Sequence, residues 1–294
     1  MATIRNPVEW GLDQLRHVGA GMSNAGHAVH HVEERLHSPA PAVARITVSD
    51  LRDALEKGLG DFAAYRSDVI FLCVVYPAIG LMLWRLAAGA SALPLLFPLA
   101  AGFALVGPLA AVGLYEMSRR REQGGEISWA TALAVFRAPA FGAIAMLGLI
   151  LVAIFLLWLA AAEEVYTLTL GPAPPASLGA FLAAIFTTAA GWALIFVGIG
   201  LGFLFALAVL VISVVSFPLL LDRDVGLDTA IGTSMRVVKA NPGPIAIWGV
   251  IVAAALALGS IPFFIGLIVV LPVLGHATWH LYRKVVPRGD ARPV

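Results

Sequence analysis

Long apolar runs alternate with short polar segments along most of this 294-residue chain. A helix needs roughly 20 residues to cross about 30 Å of hydrocarbon, and all the runs except the fifth approach or exceed that length. The six runs cover residues 68–88, 93–116, 140–162, 191–221, 244–259 and 263–282. The pattern therefore predicts an all-α polytopic membrane protein with six transmembrane helices.

Three short segments with apolar residues on one helical face precede pairs of these runs, and we expect them to form amphipathic cytosolic helices. Their apolar positions are Leu51, Leu55, Leu59 and Phe62 in segment 49–65, Trp129, Leu133 and Phe136 in segment 128–137, and Ile231, Met235 and Val238 in segment 227–240. The recurrence of one amphipathic helix and two spans indicates three helical-hairpin repeats. We assign residues 46–285 to this six-span domain and residues 286–294 to a cytosolic tail.

Residues 1–45 form a predicted cytosolic amphipathic arm. Its seven-residue seam consists of Val8, Leu15, Met22, Val29 and Leu36. Gly19, Gly21 and Gly26 each disfavour helix by about 1 kcal/mol relative to Ala, so whether the arm forms one helix or two stays open. Acidic residues outnumber basic ones in residues 1–37, which favours docking on protein over docking on an anionic bilayer.

The basic residues determine the predicted orientation. All 19 Lys and Arg residues except Arg85 fall on the side that holds both termini. Basic residues collect on the cytosolic side of membrane proteins, so both termini are predicted to be cytosolic. The Arg-, Ala-, Gly- and Leu-rich composition is typical of a bacterium, which places the chain in the inner membrane.

Composition agrees with a protein embedded in the lipid bilayer. Hydrophobic residues make up 60% and charged residues 13% of the chain, and the mean hydropathy is +0.90. These values are atypical of a soluble domain. A net charge of +1 gives no reason to expect nucleic acid as a partner.

The strongest candidate for chemistry is the pair His276 and His280 in the last run. A spacing of four residues puts both imidazoles on one helix face, where they could hold a divalent metal or contact a haem. The topology brings Glu116, Asp222 and Asp224 to the same depth, so these carboxylates are candidates for the remaining metal ligands. In the alternative interpretation, the histidines bind water or lipid headgroups at the membrane surface. The sequence indicates no catalytic residue.

Several strings are similar to an uncharacterised family of bacterial integral membrane proteins, known only as a domain of unknown function. The most specific are Ser216-Phe217-Pro218-Leu219-Leu220-Leu221-Asp222-Arg223-Asp224 and Gly275-His276-Ala277-Thr278-Trp279-His280-Leu281-Tyr282-Arg283. The run Gly113-Leu114-Tyr115-Glu116 with Ser118-Arg119-Arg120 adds to them. The resemblance covers roughly residues 45–285 and implies a multispan inner-membrane protein, without assigning a catalytic role.

Three functions fit these features. A non-enzymatic accessory or scaffold protein suits the docking arm and the small-residue ridge of Gly198, Gly202 and Ala206, which would let another helix approach closely. Its partner would be another membrane protein or a second copy of the chain. A carrier for an uncharged or weakly polar solute suits the repeat, and a haem or metal protein would use His276 and His280.

Overall fold

The computed structural model describes residues 40–73, 85, 90–125, 127, 129–262 and 264–288, and every regular element within these ranges is helical. The helices are α1 Val48–Cys73, α2 Leu96–Ala110, α3 Val112–Glu122, α4 Trp129–Leu133, α5 Phe141–Leu170, α6 Leu178–Thr187, α7 Ala189–Ser213, α8 Ser216–Asp222, α9 Leu227–Ala240, α10 Pro242–Ser260 and α11 Leu267–Val285. Short 3₁₀ turns, Ala90–Leu95 and Ala134–Arg137, precede α2 and follow α4. The predicted all-α class is confirmed. The arm seam and the centre of the first apolar run lie outside the described residues.

Four helical stretches of the described chain are long and apolar enough to cross a membrane. They are Leu93–Glu122, Phe141–Leu170, Ala189–Asp222 and Pro242–Ser260, and they correspond to the second to fifth predicted spans. The first stretch joins α2 to α3 through one turn at Ala111, and the third joins α7 to α8 through Val214 and Val215. Helix α5 continues to Leu170, beyond the end of the third predicted run at residue 162.

The predicted sixth span corresponds to α11, which is helical but only half apolar. Its first half is Leu- and Val-rich, whereas its second half carries His276, His280, Arg283 and Lys284. The mean hydropathy of α11 is therefore lower than that of the most apolar windows of the four stretches. Helix α11 packs along α1 and also contacts α3 and α10.

Helix α1 continues unbroken past the predicted end of its amphipathic segment, and its buried face matches the predicted one only in part. The buried residues are Leu51, Ala54, Gly58 and Asp61, whereas Leu59 is 54% exposed. A Cβ atom on Gly58 would lie 2.6 Å from the backbone nitrogen of Ala277, so only glycine allows α1 to lie this close to α11. Leu51, Leu55 and Phe62 of the predicted face pack against the core, whereas Leu59 does not, and the small residues Ala54 and Gly58 complete the packing face.

The other two amphipathic segments also match the prediction only in part, and in α9 the predicted residues Ile231 and Val238 pack against the core. Helix α9 buries Ala230, Thr233, Ser234 and Val237, while Met235 is 40% exposed. Beside α4, the predicted apolar residues Leu133 and Phe136 are 44% and 66% exposed, and the small or branched residues Thr131, Ala132 and Val135 are buried instead. Because lipid can cover large apolar side chains, close packing in a membrane protein selects small ones for the inner face.

Helix α5 provides much of the interior, with α2 and α7 packed against it. Its residues Ile144, Leu147, Leu151 and Trp158 are buried. The indole ring of Trp158 lies 3.2 Å from the position that a Cβ of Gly202 would occupy. The predicted glycine ridge of α7 therefore contacts α5 of the same chain at Gly202.

Helix α6 accounts for the short apolar segment between the third and fourth runs. Its ten residues are too few to span a bilayer, and none of them is buried. The hydroxyl oxygen of Ser177 accepts a hydrogen bond from the backbone nitrogen of Ala180 and caps the helix start.

Candidate functional site

Asp61 of α1 is the centre of a buried hydrogen-bonded cluster that joins three helices. Its Oδ2 atom lies 2.5 Å from the hydroxyl of Ser118 on α3 and 2.9 Å from Nε2 of His280 on α11. Its Oδ1 atom accepts from the guanidinium of Arg121 on α3 at 2.7 Å. Nδ1 of His276 lies 2.7 Å from the Ser118 hydroxyl. These five residues are called the Asp61 cluster below.

Proton positions in the Asp61 cluster follow from the chemistry of its members. An ionised carboxylate only accepts hydrogen bonds, so Ser118 gives its single proton to Asp61 and its oxygen accepts from the Nδ1–H of His276. His280 donates to Asp61 through Nε2–H for the same reason. Neutral His276 then carries its proton on Nδ1, and its buried Nε2 has no hydrogen-bond partner. The cluster therefore holds one imidazole with an open acceptor inside the protein.

The surroundings of Asp61 keep it ionised. Burial raises the pKa of its carboxyl, but the hydrogen bonds from His280 and Ser118 lower it more, so that the pKa lies below its ordinary value. Protonation of the two imidazoles at low pH acts in the same direction. An ionised Asp61 is required for the proton arrangement described above.

A second set of contacts ties the start of α1 to the end of α11. Nζ of Lys284 lies 3.0 Å from Oδ1 of Asp50 and 2.9 Å from Oδ2 of Asp53. The backbone N–H of Thr47 and the ammonium group of Lys284 lower the pKa of Asp50 to about 2. Burial lowers the pKa of Lys284, but the hydrogen bonds to Asp53 and Asp50 raise it above its ordinary value. This ammonium group is therefore charged at neutral pH.

A third set joins α3, α8 and α11. The carboxylate of Glu122 accepts from Nε of Arg283 at 3.1 Å and from the indole nitrogen of Trp279 at 3.3 Å. Asp222 accepts from the Tyr282 hydroxyl and from the Arg288 guanidinium, each at 2.8 Å. These contacts fix the ends of the three helices relative to one another.

The two predicted histidines come together, but around a carboxylate that sequence reasoning did not select. Glu116 instead binds Nε of Arg119 at 2.9 Å and Nε of Arg120 at 2.7 Å. Asp222 belongs to the Tyr282 and Arg288 contacts, and Asp224 is exposed beyond the end of α8. Within the described residues, no group of three His, Cys, Asp or Glu side chains is placed to hold a metal ion. Metal or haem binding by His276 and His280 stays a prediction.

A signal for Asp61 was present in the sequence. Ala54, Gly58 and Asp61 follow at spacings of four and three residues, so the acid continues the stripe of small residues along α1. An acid in a packing stripe needs donors on the facing helix, and α11 supplies one in His280.

A cavity of about 700 Å³ opens beside the Asp61 cluster, between α1, α3 and α11. Asp61, Ser118 and His280 form part of its wall. The rest of the wall is charged except for the backbone at Gly60, and it comprises Lys57, Arg121, Glu122, Arg283 and Lys284. The cavity is therefore a polar site at the end of a largely apolar helical bundle.

The four apolar stretches and the charged helix ends define a polytopic α-helical membrane protein. Residues 96–222, from the start of α2 to the end of α8, match a family described as "Predicted integral membrane protein (DUF2189)". The resemblance expected from the sequence is thereby confirmed for this part of the chain, which is an integral membrane domain of unknown function. Comparison with curated proteins and with solved structures gives no match.

Proposed function

We propose that this chain is a non-enzymatic accessory or scaffold protein of the bacterial inner membrane that binds another membrane protein through α7. In this proposal it has six spans with both termini in the cytosol. The four apolar helical stretches, together with the apolar runs 68–88 and 263–282, support that number. The asymmetry of Lys and Arg supports the orientation.

The low burial of α7 carries the proposal. Only 6% of its most apolar window is buried inside the chain, against 25%, 28% and 22% for the other three candidate spans. Helix α7 packs on α5, α6 and α9, but most of its apolar surface still faces outward. Binding a helix of another protein would supply the packing that α7 lacks.

The exposed face of α7 has a shape suited to helix contact. Phe196, Gly200, Phe203 and Leu207 follow at spacings of four, three and four residues, and all four are exposed. A Cβ atom on Gly200 would meet nothing within 4 Å. The glycine therefore forms a notch between two exposed phenylalanine rings, where the backbone of a second helix can approach closely. Lipid chains can also cover this face, so the test must separate lipid from protein.

Gly200→Leu makes this distinction because it fills the notch without a clash inside the chain. In cells expressing the full chain, we expect Gly200→Leu to leave membrane insertion and yield unchanged and to abolish co-purification of the partner in mild detergent. Ala254→Leu, on an exposed position of α10, adds a larger side chain to another apolar face and serves as the control. If the partner is a second copy, differently tagged chains should co-purify with the same dependence on Gly200. Full recovery of every partner by Gly200→Leu would contradict the proposal.

A further inference from the structure

The cavity beside the Asp61 cluster is lined by both cationic and anionic side chains. The hydrogen-bonding groups on its wall that the protein leaves unused are donors. Its wall carries four cationic side chains and two carboxylates. A ligand is selected by donors and acceptors that the protein itself has not already used. The bonds made by each charged group therefore decide which ligand the cavity suits.

Both carboxylates on the wall are occupied. Asp61 accepts from Arg121 through Oδ1 and from Ser118 and His280 through Oδ2. Glu122 accepts from Arg283 through Oε1 and from Trp279 through Oε2. Each carboxylate oxygen already has at least one donor, and most of these donors are cationic or ring N–H groups. A cationic ligand would have to displace them.

The cationic groups keep donors that the protein does not use. An ammonium group has three donors. Lys57 makes one ion pair, to Asp53 at 2.9 Å, and Lys284 makes two, to Asp50 and Asp53. Arg283 donates through Nε to Glu122, and its buried Nη1 atom lies 3.5 Å from Oδ2 of Asp222, so both of these groups face carboxylates of the protein. Lys57 and Lys284 are the cavity side chains that keep donors for a ligand.

We propose that this cavity binds a phosphate-type oxyanion, with Lys57 and Lys284 as its donors. Phosphoryl oxygens accept several charge-assisted hydrogen bonds at once, which matches two ammonium groups that converge from α1 and α11. Asp50 and Asp53 hold the two lysines in position from beside the cavity. The site is independent of the α7 face and adds a ligand to the proposed scaffold.

The oxyanion has two chemical sources, the headgroup of an anionic phospholipid and a soluble phosphate. A volume of about 700 Å³ admits either of them. In the predicted orientation the cavity faces the cytosol at the membrane surface, where both are present. The test therefore uses one probe for each source.

Lys57 and Arg52 form a matched pair for the test. Both lie on α1 in exposed ion pairs across one helical turn, Lys57 with Asp53 and Arg52 with Glu56. Their side chains are 55% and 83% exposed, so neither substitution threatens folding. Only Lys57 lies on the cavity wall. Lys57→Gln removes a proposed donor, and Arg52→Gln removes an equivalent charge elsewhere on the same helix.

The experiment uses the full chain in phosphatidylcholine nanodiscs at low ionic strength. Calorimetric titration with inorganic phosphate measures the soluble source, and native mass spectrometry after adding phosphatidylglycerol measures lipid retention. We expect saturable binding of at least one probe, weakened roughly tenfold by Lys57→Gln, as for the loss of one charge-assisted hydrogen bond, and unchanged by Arg52→Gln. Failure of both probes to bind, or equal weakening by the two substitutions, would overturn the proposal. Neither outcome bears on the proposed binding of a partner through α7, because Lys57 and Arg52 both lie on α1.

Discussion

Replacing Asp61 with alanine removes the acceptor through which α1 binds both α3 and α11. Ser118 on α3 and His280 on α11 then lose the oxygen that they share, and Arg121 loses its carboxylate. The consequences differ among the three partners because their exposure differs. The Arg121 side chain is 39% exposed and can turn to water, whereas Ser118 is 1% exposed and the His280 side chain is 18% exposed.

The size of the effect follows from these exposures. A buried donor left without an acceptor costs about 1–3 kcal/mol. Ser118 lies at the upper part of that range, and the partly exposed His280 at the lower part. The expected loss of unfolding free energy for Asp61→Ala is about 3 kcal/mol. For a chain of this size, that corresponds to a decrease of about 6–12 °C in the midpoint of thermal unfolding.

Asp53→Ala is the matched control on the same helix. Asp53 also binds two cations, Lys57 and Lys284, but its side chain is 41% exposed. Exposed ion pairs contribute about 0–1 kcal/mol each, so the loss of two pairs costs at most about 2 kcal/mol and we expect a decrease of less than about 8 °C. Thermal unfolding of both variants in the same mild detergent gives the comparison. If Asp61→Ala lowers the midpoint no more than Asp53→Ala does, the buried cluster does not hold the helices together.

The same cluster predicts the direction of the pH dependence. The folded-state pKa of Asp61 lies below its ordinary value of 3.8, and that of Asp50 falls to about 2. A lowered carboxyl pKa stabilises the folded state fully above the unfolded-state pKa and loses this contribution as the pH falls through the folded-state value. The contribution of these two carboxylates to the wild-type midpoint should therefore be level above about pH 4 and decline below it. Asp61→Asn should show a shallower decline, and an unchanged slope would contradict the assignment of an ionised Asp61.

Two further predictions concern topology and helix packing. Single cysteines at Ala176 and Gln123 in a cysteine-free background should label with an impermeant thiol reagent from outside and from inside the cell respectively, and labelling of Gln123 from outside would contradict the six-span orientation. These positions are preferable to the neighbouring turn glycines, whose positive φ angles disfavour a side chain. Gly58→Ala should lower the thermal midpoint, because its Cβ would lie 2.6 Å from the α11 backbone, whereas Gly60→Ala should raise it through the roughly 1 kcal/mol gain in helix propensity, since nothing lies within 4 Å. Equal effects of the two alanines would refute the close packing of α1 on α11.

The candidate site could be predicted from the sequence only in part. The spacing of His276 and His280 correctly placed both imidazoles on one face, because that relation is internal to a single helix. Their partner, Asp61, is more than 200 residues away in the chain, and the nearer acids Glu116 and Asp222 are bound by other side chains. No local periodicity specifies which of several acids at one depth faces a given helix.

The sequence by itself determined that the chain is helical and membrane-embedded, and it located four described spans. Long apolar runs must satisfy their backbone hydrogen bonds internally in lipid, and only helices achieve this within one segment. The faces on which the helices pack were decided by the tertiary structure. Leu59, Phe136 and Met235 point outward, while Gly58 and Ala230 pack inside. In water, burial of large apolar side chains sets the inner face, but lipid accepts those side chains, so close approach of helix backbones sets it here.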